Sequence, residues 1–100
     1  MKIIIKLSDY GTNLGSRLLG RKIINEFIPQ IKLNKSVILD FRDIQFMSIS
    51  FSTELLDSLY NKLKVKSVEY ILEENNFITK QLDFAKHSIN AKANVLKQIA

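Results

Sequence analysis

The chain begins with an alternation: Ile3, Ile5 and Leu7 fall on one face, Lys2, Ile4 and Lys6 on the other. That period of two predicts a half-buried strand over 2–7. The segment D-Y-G-T-N-L-G-S has Gly11 and Gly15 as breakers and reads as a loop. Behind Ser16, a residue suited to cap a helix N-terminus, Leu19, Ile23, Ile24, Phe27 and Ile28 recur at helical spacing. Gly20 lies at the edge of this stripe, where a glycine costs about 1 kcal/mol relative to alanine, so close packing against the sheet is the expected compensation. Pro29 is expected to end or kink the helix at Ile28.

The pattern then repeats twice. Val37, Ile38 and Leu39 form an unbroken, β-branched run in S-V-I-L-D-F, which suits a central strand more fully covered than the first. Phe51, Leu55, Leu59 and Leu63, with Leu56 beside them, make a second helical stripe opposed by Asp57, Asn61, Lys62 and Lys64. In S-V-E-Y-I-L, Val68, Tyr70 and Leu72 alternate with Glu69 and Ile71, a strand with one more polar face. From Asn76 to Ala100 there is no glycine or proline, and Ile78, Leu82, Ala85, Ile89, Ala93 and Leu96 predict one long final helix. The order strand, helix, strand, helix, strand, helix implies a small α/β sandwich of parallel strands with right-handed crossovers. Because two of the three strands carry a lysine- or glutamate-bearing face, the helices are expected to lie mainly on one side of the sheet.

Composition narrows the function classes. One hundred residues make a single domain over 1–100 with one modest core. The absence of cysteine excludes disulfides, thiolate zinc sites and cysteine nucleophiles. No run approaches the roughly 20 apolar residues that span a bilayer. The initial apolar run, broken at Lys6, is too short for a signal segment, so a chain starting near Met1 and working in the cytoplasm is expected. The net charge is +5, with eight basic against four acidic residues in 1–50 and seven against six in 51–100. This is a mild bias toward anionic partners without a basic block.

The chemistry-bearing candidates gather where the second strand hands over to the second helix. F-M-S-I-S-F-S-T-E-L-L holds Ser48, Ser50, Ser52 and Thr53. A helix N-terminus has unpaired N–H groups, and Ser48 or Ser50 can cap them for about 1 kcal/mol. The same place tolerates an anion, so a phosphoryl group on Ser48, Ser50 or Ser52 would alter the surface by nearly two charges. Arg17 and Arg21, one helical turn apart, can together meet a carboxylate or phosphate on a partner. Asp40 and Glu54 are the nearest acids, but no nucleophile–histidine arrangement accompanies them. His87 lies on the polar side of the last helix and reads as a solvated residue. G-T-N-L-G-S-R lacks both the P-loop lysine and the dinucleotide-binding glycine spacing. No enzyme, cofactor or metal is therefore expected.

The stretch S-V-I-L-D-F-R-D-I-Q-F-M-S-I-S-F-S-T-E-L-L resembles the STAS-like domain family of unknown function, and G-S-R-L-L-G-R looks like that family's serine–arginine start to its first helix. The resemblance covers roughly residues 14 to 75 and is best defined from Leu39 to Leu55. More distantly, the chain is similar to the STAS domains of anti-sigma-factor antagonists. Those bind a histidine-kinase-like ATPase and are switched by phosphorylation of a serine at the start of the second helix. Alignment of F-M-S-I-S-F on that family's motif puts Ser48 at its aspartate, Ile49 at its phosphorylated serine and Ser50 at the next serine, with Phe51 in place of a glycine. The resemblance implies a non-enzymatic interaction module whose partner, a histidine-kinase-like ATPase, meets Arg17, Arg21, Ser48, Ser50, Phe51, Ser52 and Glu54, with Ser48 and Ser50 as candidate phosphoacceptors. The competing expectation is a nucleic-acid-associated domain using Lys80, Lys86, Lys92 and Lys97, although these are widely spaced and no aromatic platform interleaves them. A homodimer through the final helix stays open.

Overall fold

The computed structural model of the chain describes residues 2–73 and 76–89 and the backbone of 95–98. Four parallel strands, β1 (Ile3–Lys6), β3 (Ser36–Asp40), β5 (Ser67–Ile71) and β6 (Val95–Gln98), form one sheet in the order β1-β3-β5-β6. Three helices make the crossovers: α1 (Arg17–Asn34), α2 (Ile49–Asp57) and α3 (Asn76–Ser88). Two further strands of two residues each, β2 (Asn13–Leu14) and β4 (Phe46–Met47), pair in parallel as a separate ribbon. The chain is an α/β domain, as its periodicity predicts.

Sequential strand order with crossovers of one hand places all three helices on one face. Burial follows that geometry. The paired rows Ile3–Val37–Val68 and Ile5–Leu39–Tyr70 face the helices, with Ile5, Val37, Leu39, Val68 and Tyr70 buried and Ile3 half-buried. On the other face Ile4 is 56% exposed and Lys6 is exposed. Glu69 departs from the expected wet face: it is buried, and Lys2 reaches across the sheet to pair with it.

Two boundaries before the final segment differ from the sequence expectation. Leu7 leaves the strand to begin a 3₁₀ turn over Leu7–Tyr10, closed by Gly11 at a φ of 120° that favours glycine. Pro29 does not end α1, which continues to Asn34. The carbonyl that Pro29 cannot bond belongs to Asn25, and both residues are exposed, so water can satisfy it. The helix stops instead at Lys35, whose left-handed φ of 61° lets its N–H close on the Ile31 carbonyl at 2.9 Å.

The largest correction concerns the final segment. The expected helix through Leu96 stops at Ser88, and the chain returns as β6 alongside β5. The core stripe Ile78, Leu82 and Ala85 is buried, with Ile89 half-buried just beyond the helix. Thirteen helical residues at about 1.5 Å each span roughly 20 Å, enough to recross the sheet, and pairing β5's edge satisfies backbone groups that a longer helix would leave open. Ala93 and Lys92 lie outside the described residues.

Candidate functional site

The ribbon of β2 and β4 sets the start of α1 beside the start of α2. Gln45 and Phe46 donate their N–H groups to the Thr12 carbonyl at 2.9 and 3.1 Å, and Ser48 N–H donates to the Leu14 carbonyl at 2.9 Å. Immediately beyond, each chain turns into its helix under a serine cap. Ser16 Oγ accepts from Leu19 N–H at 3.1 Å, and Ser48 Oγ accepts from Phe51 N–H at 3.0 Å. The two first turns therefore lie at the same end of the domain and point their dipoles the same way.

This arrangement sorts the hydroxyl cluster. Ser48 is the α2 cap and half-buried. Ser52 is fully buried and turns its hydroxyl back to the carbonyls of Ser48 and Ile49, each at 3.1 Å. Phe51 is fully buried in the core. Phe51 and Ser52, expected among the partner contacts, thus have no surface to offer: the first fills the interior and the second stitches the helix turn. Ser50 is exposed, Thr53 is half-buried, and Ile49, the first helical residue, is 51% exposed.

One turn further along α2, Glu54 collects the basic residues. Gly20 makes this possible, because a Cβ there would lie 3.1 Å from the Phe51 carbonyl oxygen and 3.4 Å from the Glu54 Cβ. With the helices this close, Arg21 Nε stands 3.5 Å from Glu54 Oε2 and Arg17 Nε 4.0 Å from Oε1. Ser58 Oγ donates to Oε2 at 3.2 Å and Lys62 Nζ at 3.3 Å. Glu54 itself is only 7% exposed, whereas its three cations are exposed. Burial works to raise the Glu54 carboxyl, and Lys62 and Arg21 outweigh it and hold the group below the usual carboxylate range.

Lys62 joins this group through a change in helix geometry. Residues 54 and 62 of an ideal α-helix differ by about 80° in direction. Here α2 passes into a π-helical turn over Ser58–Lys62, in which Leu63 N–H reaches back five residues to the Ser58 carbonyl at 2.8 Å. The slower winding keeps Glu54, Ser58 and Lys62 in one line, with Asp57 3.9 Å from Lys62 on the flank. Sequence reading put Lys62 on the opposite, solvated side and passed over Ser58. The four-residue spacing of Glu54, Ser58 and Lys62 was the available signal, hidden by the assumption of uniform α-geometry.

The other acid near the turn, Asp40, is 2% exposed at the end of β3. Arg42 donates to it three times: from N–H and Nε to Oδ1 at 3.0 Å each, and from a terminal nitrogen to Oδ2 at 2.7 Å. These bonds hold its carboxyl below the usual range against the opposing effect of burial. Both carboxylates are therefore already engaged with cations, and neither stands ready as a general base. The buried hydroxyls of Tyr60 and Tyr70 act on each other electrostatically without a hydrogen bond of ordinary geometry among the described residues. Burial pushes the Tyr60 phenol up to about 12 and Tyr70 higher still. His87 is exposed, with Nδ1 2.8 Å from the Asp83 carbonyl oxygen. Among the described residues no group of three or more histidine, aspartate or glutamate side chains could hold a metal ion, and no helix is long and apolar enough to cross a membrane.

No family model, curated protein or solved structure matches this chain.

Proposed function

We propose that this domain is a non-enzymatic interaction module of the STAS-like type, working in the cytoplasm and docking a histidine-kinase-like ATPase through α2 and its serine-rich first turn. The observation that carries the reading is the division of labour around that turn. Ser48, Phe51 and Ser52 build the helix start and the core, leaving Ile49 and Ser50 exposed. An isoleucine half-exposed at a helix tip, next to an exposed hydroxyl, offers the mixed apolar and polar contact that protein partners use. Of the two candidate phosphoacceptors, Ser50 is the better placed, since modifying Ser48 would remove the cap that accepts from Phe51 N–H.

The test is a titration calorimetry measurement between the purified domain and a purified histidine-kinase-like ATPase. The expected result is a complex weakened about tenfold or more by Ile49→Asp and by Ser50→Asp, and unchanged by Lys80→Ala on α3. Absence of a complex at tens of micromolar, or equal binding by all three variants, would overturn the proposal.

A further inference from the structure

The charges of the domain are sorted along its strands. Because β1, β3 and β5 are parallel, all three begin at one end of the sheet and finish at the other. Where they finish, Asp9, Asp40, Asp43 and Glu73 face only Lys6 and Arg42 among the described residues. Asp43 N–H donates to Glu73 Oε1 at 2.6 Å, which ties two of these loops together. Where the strands begin, the balance reverses. The end of α1 leads into β3 through Lys32, Leu33, Asn34 and Lys35, and the π-helical turn leads into β5 through Leu63, Lys64, Val65 and Lys66. The two connections are bonded to each other: Lys66 N–H donates to the Lys35 carbonyl at 2.7 Å, and Lys35 Nζ donates to the Leu63 carbonyl at 3.3 Å. Neither 27–39 nor 58–68 contains an aspartate or glutamate. Lys32, Lys64 and Lys66 are exposed, and with Lys35 they pair with no carboxylate among the described residues.

The fold accounts for only part of this cluster. A cation in the last turn of a helix offsets the dipole there, which covers Lys32 and Lys62. The dipole fades beyond that turn, so Lys64 and Lys66 gain little from it. Lys35 and Lys64 also take left-handed backbone, at φ of 61° and 52°, a conformation that strains an ordinary side chain and suits glycine or asparagine. A lysine at each of these turns runs against local preference. Such departures are expected where a sequence answers to something outside the fold.

The make-up of the cluster decides which anion. Lysines are point charges on flexible stems and lack the fork with which arginine grips one phosphate in fixed geometry. Neither connection holds an aromatic residue on which a base could stack. Between Lys32 and Lys35 stands Leu33, 85% exposed and the most exposed large apolar residue among those described. A spread of lysines around one apolar side chain suits a broad anionic surface with an apolar interior. We infer that the end of the domain where β3 and β5 begin docks on an anionic phospholipid surface, Lys32, Lys35, Lys64 and Lys66 among the headgroups and Leu33 entering the interface. The acidic opposite end is repelled by the same surface, so the separation of charge sets the orientation. The first turn of α2 lies at that opposite end and stays open to a protein partner. This inference does not depend on the interaction-module reading.

The test is co-sedimentation of the full chain with phosphatidylcholine vesicles containing about one third phosphatidylserine. Pure phosphatidylcholine vesicles and a single-stranded oligonucleotide serve as separate arms. The wild type is expected to bind the anionic vesicles at low salt, to ignore the neutral ones and to be released at high salt. K64Q/K66Q should weaken binding about tenfold or more, and Leu33→Ser about threefold. K80Q/K86Q removes the same charge from α3 and should leave binding nearly unchanged. Lys64→Gly separates docking from folding. It should bind about fivefold more weakly while melting at about the wild-type temperature, since glycine relieves the left-handed turn. Four results would each sink the inference: no binding to anionic vesicles at low salt, equal losses from K64Q/K66Q and K80Q/K86Q, undiminished binding by Leu33→Ser or Lys64→Gly, or oligonucleotide binding as tight as vesicle binding.

Discussion

Asp40 and Glu54 are both buried carboxylates at the same end of the domain, and they are held in opposite ways. Asp40 takes its donors from one residue, two positions further along the chain, so its ion pair shapes a single loop. Glu54 takes its partners from two segments, Arg17 and Arg21 of α1 and Ser58 and Lys62 of the π-helical turn. A locally held carboxylate has no substitute partner when that one is removed. A carboxylate held by several residues tolerates losing any one of them, and in exchange it ties their segments to each other. The same charge chemistry thus makes a fragile local clamp in one place and a redundant joint in the other.

The largest expected effect comes from breaking the clamp. Arg42→Ala leaves Asp40 buried with a backbone donor and the more distant charge of Lys6, and should lower the midpoint of chemical denaturation more than Gly20→Val, Glu54→Gln or Arg21→Ala. Gly20→Val acts on the joint through packing: its Cβ would press on a backbone carbonyl at 3.1 Å, and a loss of about 2 kcal/mol is expected in thermal unfolding. Glu54→Gln should cost less, about 1 kcal/mol, because the exposed cations it leaves behind are solvated. Its pH signature is more telling than its size. The folded carboxyl lies below its ordinary value of 4.5, so its contribution is complete above that value and is lost as pH falls through the folded one. The wild-type domain should therefore lose stability below about pH 4 more steeply than Glu54→Gln, as followed by circular dichroism. Arg21→Ala alone should be smallest, about 0.5 kcal/mol or less, since Lys62 and Ser58 remain. Equal losses for Arg42→Ala and Arg21→Ala would erase the distinction between clamp and joint.

The α/β order was legible because core-facing positions repeat: Ile23, Ile24 and Ile31 on α1, Leu55, Leu56 and Leu59 on α2, and Val37 and Leu39 on β3 are all buried. Phe51 was legible too, as the first member of the α2 stripe, and assigning it to a partner set one reading of the residue against another. The burial of Phe51 settles that conflict in favour of the core. The β2–β4 ribbon was not legible, since two-residue strands carry no period. Nor was the end of α3, because Ile89, Ala93 and Leu96 extend a helical spacing while the open edge of β5, a feature of tertiary structure, claims the chain as a strand. In the candidate site, residue types were readable and their partners were not. Arg17, Arg21 and Glu54 stood out singly, but their convergence depends on the close helix approach at Gly20 and on a turn that winds more slowly than the rest of its helix.

The ribbon also bears on which changes in chain length the domain can absorb. Surface connections usually accept an added residue with little penalty. Here the segments leading into α1 and α2 are stitched side by side, and Leu14 and Met47 face each other in register with no exposed surface. One extra residue in either segment would turn its inward side chain out to water. Lineages of this domain should therefore vary in length elsewhere on the surface, while these two loops keep step with each other.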